Sequence, residues 1–196
     1  MKKKILILSV LFYSSLFAQL KSNLEIFNSL IDSSAILIAE NFADKNTNYV
    51  LTTNLPAEYK ALEQQILISL VKTGLQIKSD STAAETINYS LINAGVIYPE
   101  VLRNGIFGEY ILKRKLVLSG EFTITNQNRF YSADKFSYSV TDSIPFDKTT
   151  FVETDSIPFT KGEKPSPPFL SGIIEPVIAI TTVVVTAILF FSVRSK

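Results

Sequence analysis

The sequence predicts an α+β domain, a mixed sheet with two helices on one face, plus one C-terminal transmembrane helix. Three observations carry this. Apolar residues recur at three- and four-residue steps over residues 20–42 and again over 59–70, the spacing of one helix face. Between residues 86 and 140 the pattern changes to alternation, as half-buried antiparallel strands require. Residues 176–193 carry no charge at all. The chain has 196 residues, room for one ordinary domain once both ends are set aside.

Residues 1–18 have the three-part layout of a secretory signal peptide. Lys2, Lys3 and Lys4 make a basic start, residues 5–12 an apolar run, and Ala18 a small residue before Gln19. The run is short for a bilayer, which needs roughly 20 residues. Leu16, at the minus-three position, is larger than the usual small residue, which leaves the exact cleavage point open; the alternative to cleavage is an uncleaved N-terminal anchor.

The first helix is expected over residues 20–42, with Leu20, Leu24, Phe27, Ile31, Ile38 and Phe42 as its apolar stripe. Residues 48–55 read as a short strand stopped by Pro56. A second helix opens at Pro56-Ala57-Glu58 and turns Tyr59, Leu62, Ile66 and Leu70 to one side. Gly74 is its expected C-terminal cap. Residues 75–78 form the next strand. The resulting strand–helix–strand crossover, 48–78, is right-handed if its two strands run parallel in one sheet.

Residues 80–84 are polar and suit a turn. Residues 86–98 read as a strand with a bulge at Gly95, and Arg103-Asn104-Gly105 as a turn. Over 110–125, one parity carries Lys113, Lys115, Ser119, Glu121 and Thr123. The other carries Leu112, Arg114, Leu116, Leu118, Phe122 and Ile124. The second set is mostly apolar and marks the buried face. Residues 126–128 turn the chain into a returning strand over 129–140. The exported domain is thus expected at residues 19–140.

Beyond it, residues 141–172 read as a linker, 173–193 as the membrane helix and 194–196 as a cytoplasmic tail. At about 1.5 Å per residue, the uncharged run makes a helix about 27 Å long, close to the hydrocarbon thickness. Its many β-branched residues weaken a helix in water. In lipid the helix prevails, because a single segment has no other way to satisfy its own backbone. Arg194 and Lys196 keep the C-terminus cytoplasmic. The location this implies is the inner (plasma) membrane, single-pass, with the domain in the periplasm or outside. Pro176 is expected to start the helix, with Glu175 favourably at its N-terminus; the alternative is an intramembrane carboxylate facing a partner helix.

Composition removes whole classes of chemistry. There is no histidine, cysteine or tryptophan. Ser-His-Asp and Cys-His catalysis, thiolate and imidazole metal sites, and lipid attachment to cysteine are therefore excluded. Lysine plus arginine (19) nearly balance aspartate plus glutamate (18), and the part between the two ends is weakly acidic. That argues against nucleic acid as a partner and gives no reason to expect anionic lipid. No cofactor or metal is implied. Ser69-Leu70-Val71-Lys72 and Ser132-Ala133-Asp134-Lys135 fit Ser-x-x-Lys, and Lys72-Thr73-Gly74 overlaps the first, but penicillin-recognising enzymes carry such motifs on separate elements of a larger fold. Glu40 and Asp44 suit a solvated helix face better than an acid/base pair.

The most distinctive local feature is a repeat. Thr141-Asp142-Ser143-Ile144-Pro145-Phe146 recurs at residues 154–159. One reading is a pair of docking motifs: Ile144, Pro145, Phe146, Ile157, Pro158 and Phe159 would bind a protein partner, with the two phenylalanines as anchors. The other is a duplicated linker, or edge segments laid along the same domain with Phe filling a groove. Lys164-Pro165-Ser166-Pro167-Pro168 then reads as a polyproline spacer that would hold the domain off the bilayer surface.

The run Tyr59 through Ile77, a helix ending in Gly74 before a strand, is followed by the strand pair around Ile87–Gly95 and Leu118–Phe122. Over residues 32–125 this pattern resembles the small periplasmic α/β domains related to the TolB amino-terminal domain. Curli-secretion, flagellar-envelope and penicillin-binding-protein-activator lipoproteins share that architecture. The chain departs from them in having no cysteine for a lipid. The resemblance implies a non-enzymatic envelope protein that works by binding other proteins. Two functions are carried forward. The first is a single-span bacterial envelope protein whose exported domain binds a protein partner, as an accessory subunit of a secretion, motility or cell-wall assembly. The second is a membrane-surface enzyme using carboxylate or Ser/Lys chemistry.

Overall fold

Ser22 starts the first helix, α1 (Asn23–Glu40). Its hydroxyl accepts the Glu25 backbone N–H at 3.2 Å, while the Glu25 carboxylate accepts the Ser22 N–H at 2.7 Å. This reciprocal cap is worth about 1 kcal/mol. The Ser22 N–H also holds the Glu25 carboxyl below its ordinary range. The computed structural model describes residues 20–41, 47–78, 85–103, 105, 108–126, 129–167 and 171–194. Residues 1–18, expected as a signal peptide, residues 80–84, expected as a turn, and Phe42, Asp44 and Lys196 lie outside these.

The second helix begins as a 3-10 helix (Ala57–Leu62) and continues as α2 (Glu63–Lys72). Tyr59, Leu62, Ile66 and Leu70 are all buried, as their spacing requires. Gly74 follows with φ +92°, the left-handed conformation that a helix end favours in glycine.

Six strands form one mixed sheet: β1 (Asn48–Asn54), β2 (Gln76–Lys78), β3 (Glu85–Ile97), β4 (Val101–Arg103), β5 (Tyr110–Asn126) and β6 (Arg129–Pro145). β1 lies between β2 and β3 and is parallel to both. β5 pairs antiparallel with β3 and β4, and also with β6. The even-numbered side chains Leu112, Leu116, Leu118, Phe122 and Ile124 are buried beneath the helices. The α+β class and the mixed sheet are as the sequence predicts.

Four local expectations are corrected. The bulge in β3 falls between Leu91 and Asn93, leaving Ile92 59% exposed, while Gly95 pairs regularly with Val117. It lies beside Gly120, where a Cβ would come within 2.4 Å of the Ser90 carbonyl and 2.5 Å of the Phe136 ring. Residues 101–103, expected to lead into a turn, add a short strand. The domain does not end at residue 140. β6 continues to Pro145, followed by a 3-10 helix (Phe146–Lys148), α3 (Thr149–Val152) and a further 3-10 helix (Pro158–Thr160). Val152 and Phe159 belong to the core, so most of the expected linker is domain. Backbone pairing and apolar burial, not composition, set that boundary.

The fourth correction concerns the last helix, α4 (Ser171–Arg194), which begins before Pro176 and carries it inside. Among the described residues, no helix is long and apolar enough to cross a membrane.

Candidate functional site

Both copies of the repeat are used inside the fold. Ile144, near the end of β6, is fully buried opposite Leu112. Pro145 closes the strand opposite Ile111, where a missing N–H is tolerated. Phe146 is half-buried, its ring edge-on to Tyr110 at 6.5 Å. In the second copy Ile157 is half-buried and Pro158 exposed at the start of a 3-10 helix. Phe159 is buried, edge-on to Phe27 at 5.2 Å and Tyr59 at 5.7 Å. These contacts match the alternative reading, edge segments laid along the same domain with Phe filling a groove. A segment that joins an aliphatic residue, a rigid proline and an aromatic finds its nearest apolar surface on its own domain.

The segment carrying the second copy is fastened by a buried polar network. Arg114, on the core face of β5, has no solvent exposure. Its guanidinium donates to Asp142 from Nε (2.8 Å) and Nη2 (2.5 Å), the fork geometry that suits a carboxylate. Its Nη1 donates to the Lys21 carbonyl (3.0 Å) and to Asn23 Oδ1 (2.7 Å). Asn23, also fully buried, passes the connection on through Nδ2 to the Thr160 carbonyl (2.7 Å) and the Tyr98 hydroxyl (3.2 Å). The Tyr98 hydroxyl in turn donates to Glu153 (3.1 Å), which also accepts the Gly162 N–H and pairs with Lys164 at 3.1 Å. Burial pushes the Tyr98 hydroxyl up to about 12. Among the described residues, no buried side-chain nitrogen or oxygen is left without a partner. Reading the sequence missed this network, although its signal was present: one arginine on an otherwise apolar parity.

The Ser-x-x-Lys motifs separate by geometry. On β6, Ser132 and Lys135 stand three apart and so point to opposite faces. On α2, Ser69 and Lys72 share a groove with Asp32, Ile36, Ala39, Glu40 and Thr73. The buried Ser69 hydroxyl donates to Asp32 at 2.5 Å, and Gln65 donates to Ser69 at 3.1 Å. These bonds knit α2 to α1.

The outer surface of α2 is the unusual one. Leu67, Ile68 and Val71 are neighbours at one-, three- and four-residue steps and are 40%, 41% and 51% exposed. Ile36, 53% exposed on α1, lines the separate groove with Ser69 and Lys72. Helix α2 is therefore apolar on its buried and its outward sides. On the sheet side, Leu67 also lines a cleft of about 710 Å³ with Leu51, Ile77, Lys60 and Lys78. The side chains of this apolar surface are more exposed than Phe159 of the repeat, which is 6% exposed.

No family model and no curated protein matches the chain. Among solved structures it is similar to a minor lipoprotein from Acinetobacter baumannii, at 18% identity over 52% of this chain and 67% of that one, with a TM-score of 0.34. It is also similar to the rare lipoprotein B from Shewanella oneidensis, at 11% identity over 66% of this chain and 81% of that one, with a TM-score of 0.31. At these scores the likeness assigns no activity.

Proposed function

We propose that the chain is a single-span bacterial envelope protein whose exported α+β domain binds a protein partner and carries out no catalysis. The observation that carries the binding role is the outward apolar stripe Leu67, Ile68 and Val71, with Ile36 exposed on the neighbouring helix α1. Apolar residues scattered singly on a surface need no explanation, whereas several adjoining on one face mark an interaction site. The anchor is supported by the uncharged run 176–193 and by the exposure of every described side chain from Pro176 to Ser192. An apolar helix that its own domain leaves uncovered is stable only in apolar surroundings. The basic, apolar and small segments of residues 1–18 support export.

A photoreactive residue placed at Ile68 in living cells tests the binding role. It should give one discrete adduct, and the same probe at Ser139 on the exposed face of β6 should not. Ile68→Lys with Val71→Lys should abolish the adduct formed from a probe at Ile36 while leaving the melting temperature unchanged. Equal labelling from Ile68 and Ser139 would dispose of the proposed surface.

A further inference from the structure

We infer that the end of the domain where the chain departs docks on the bilayer surface, with Phe151 inserted at the boundary between headgroups and acyl chains. This rests on reading α4 as a membrane span.

Three observations converge on that end. Phe151, on α3, is 74% exposed, the most exposed of the large apolar side chains described. The Lys148 ammonium lies 5.2 Å above its ring. Two residues beyond Phe151, Glu153 holds the departing chain through Gly162 and Lys164. Ile97, 50% exposed, lines a surface cleft with Glu163, Lys164 and Pro165. An exposed aromatic, a lysine stacked on it and an exposed isoleucine thus flank the point from which the chain runs to α4.

The length of that run decides what faces them. Only residues 165–170 separate the fastened Lys164 from Ser171, the first residue of α4. Fully extended, they reach about 20 Å. Three prolines, Pro165, Pro167 and Pro168, give the sequence a stiff character, so contour length is what bounds the separation. With α4 in the bilayer, the tether keeps this end of the domain within about 20 Å of the lipid surface and makes it the end that faces the membrane. Aromatic rings with a lysine alongside suit that layer: the ring enters the boundary and the ammonium reaches the phosphates. The apolar stripe on α2 remains for a protein partner.

Because the chain has no tryptophan, single reporters are clean. Full-length Phe151→Trp and Ala133→Trp variants would be reconstituted in phosphatidylcholine–phosphatidylglycerol vesicles. Ala133 is exposed and twelve residues back along β6 from Pro145, about 40 Å away along the strand. Lipids brominated near the top of the acyl chain should quench Phe151→Trp severalfold more than Ala133→Trp, with its emission shifted to the blue. Both variants should keep the parent melting temperature, since both sites are exposed. If both chains float with the vesicles but are quenched equally, docking is refuted and the anchor stands. If neither floats, the anchor itself fails, and docking with it.

Discussion

Truncating Phe159 to alanine separates the two roles open to the repeat. The ring is 6% exposed and meets Phe27 and Tyr59 edge-on at 5.2 and 5.7 Å. Removing a core phenylalanine costs about 3–5 kcal/mol, a range that already contains edge-on ring pairs worth about 0.5–1.5 kcal/mol each. Phe159 sits at the margin of the core in a short 3-10 helix, where the segment can relax, so the low end applies. A loss of about 3 kcal/mol in a domain of this size lowers the melting temperature by about 10 °C. Phe146→Ala is the internal comparison. That ring is half-buried with one ring neighbour at 6.5 Å, and its loss should cost about 1–2 kcal/mol, or about 4 °C. Circular dichroism on the parent, the two single variants and the double variant reads all of these. A Phe159→Ala chain that melts with the parent yet no longer captures its partner would refute the packing argument and restore the docking motif.

Asp142→Ala removes the carboxylate from a buried arginine and should destabilise by about 2–4 kcal/mol in urea titration. The figure is reduced because the Asp142 side chain is 39% exposed and water replaces part of the interaction. Gly120→Ala should cost about 3 kcal/mol, because the new Cβ meets a backbone oxygen and a packed ring. Gly74→Ala, strained by its positive φ but with open space around it, should cost only about 1 kcal/mol in the same titration. Tyr98, whose hydroxyl lies at about 12 in the fold against an ordinary 10, should titrate late when followed by tyrosinate absorbance. A raised folded value means that its contribution is complete below pH 10 and is lost as pH rises from 10 towards 12. Tyr98→Phe should remove that alkaline loss; an unchanged alkaline midpoint would contradict it.

The residues show why some features were legible and others not. Tyr59, Leu62, Ile66 and Leu70 share a face whatever else the chain does, because 3.6 residues per turn puts them there. The even parity of β5 is readable for the same local reason. The bulge at Ile92 was assigned to Gly95, since glycine is the local cue, whereas the register is set by the partner strand and by the ring of Phe136 over Gly120. Arg114 looked like an irregularity on an apolar face. Its partners, Asp142, Lys21 and Asn23, lie 28, 93 and 91 residues away, and no spacing rule connects them.

By itself the sequence determined the helix faces, the strand parity, the α+β class and the uncharged C-terminal run. Each depends on a periodicity or a composition that acts over neighbouring residues. Tertiary structure alone decided where the domain ends and what the repeat does. The two copies of Thr-Asp-Ser-Ile-Pro-Phe are identical in sequence yet unlike in setting: one finishes an edge strand with a buried Ile144 and a half-buried Phe146, and the other plugs Phe159 between Phe27 and Tyr59. Identical side chains have identical affinities for apolar surface. Which surface each one reaches depends on contacts between distant parts of the chain, and those exist only once it has folded.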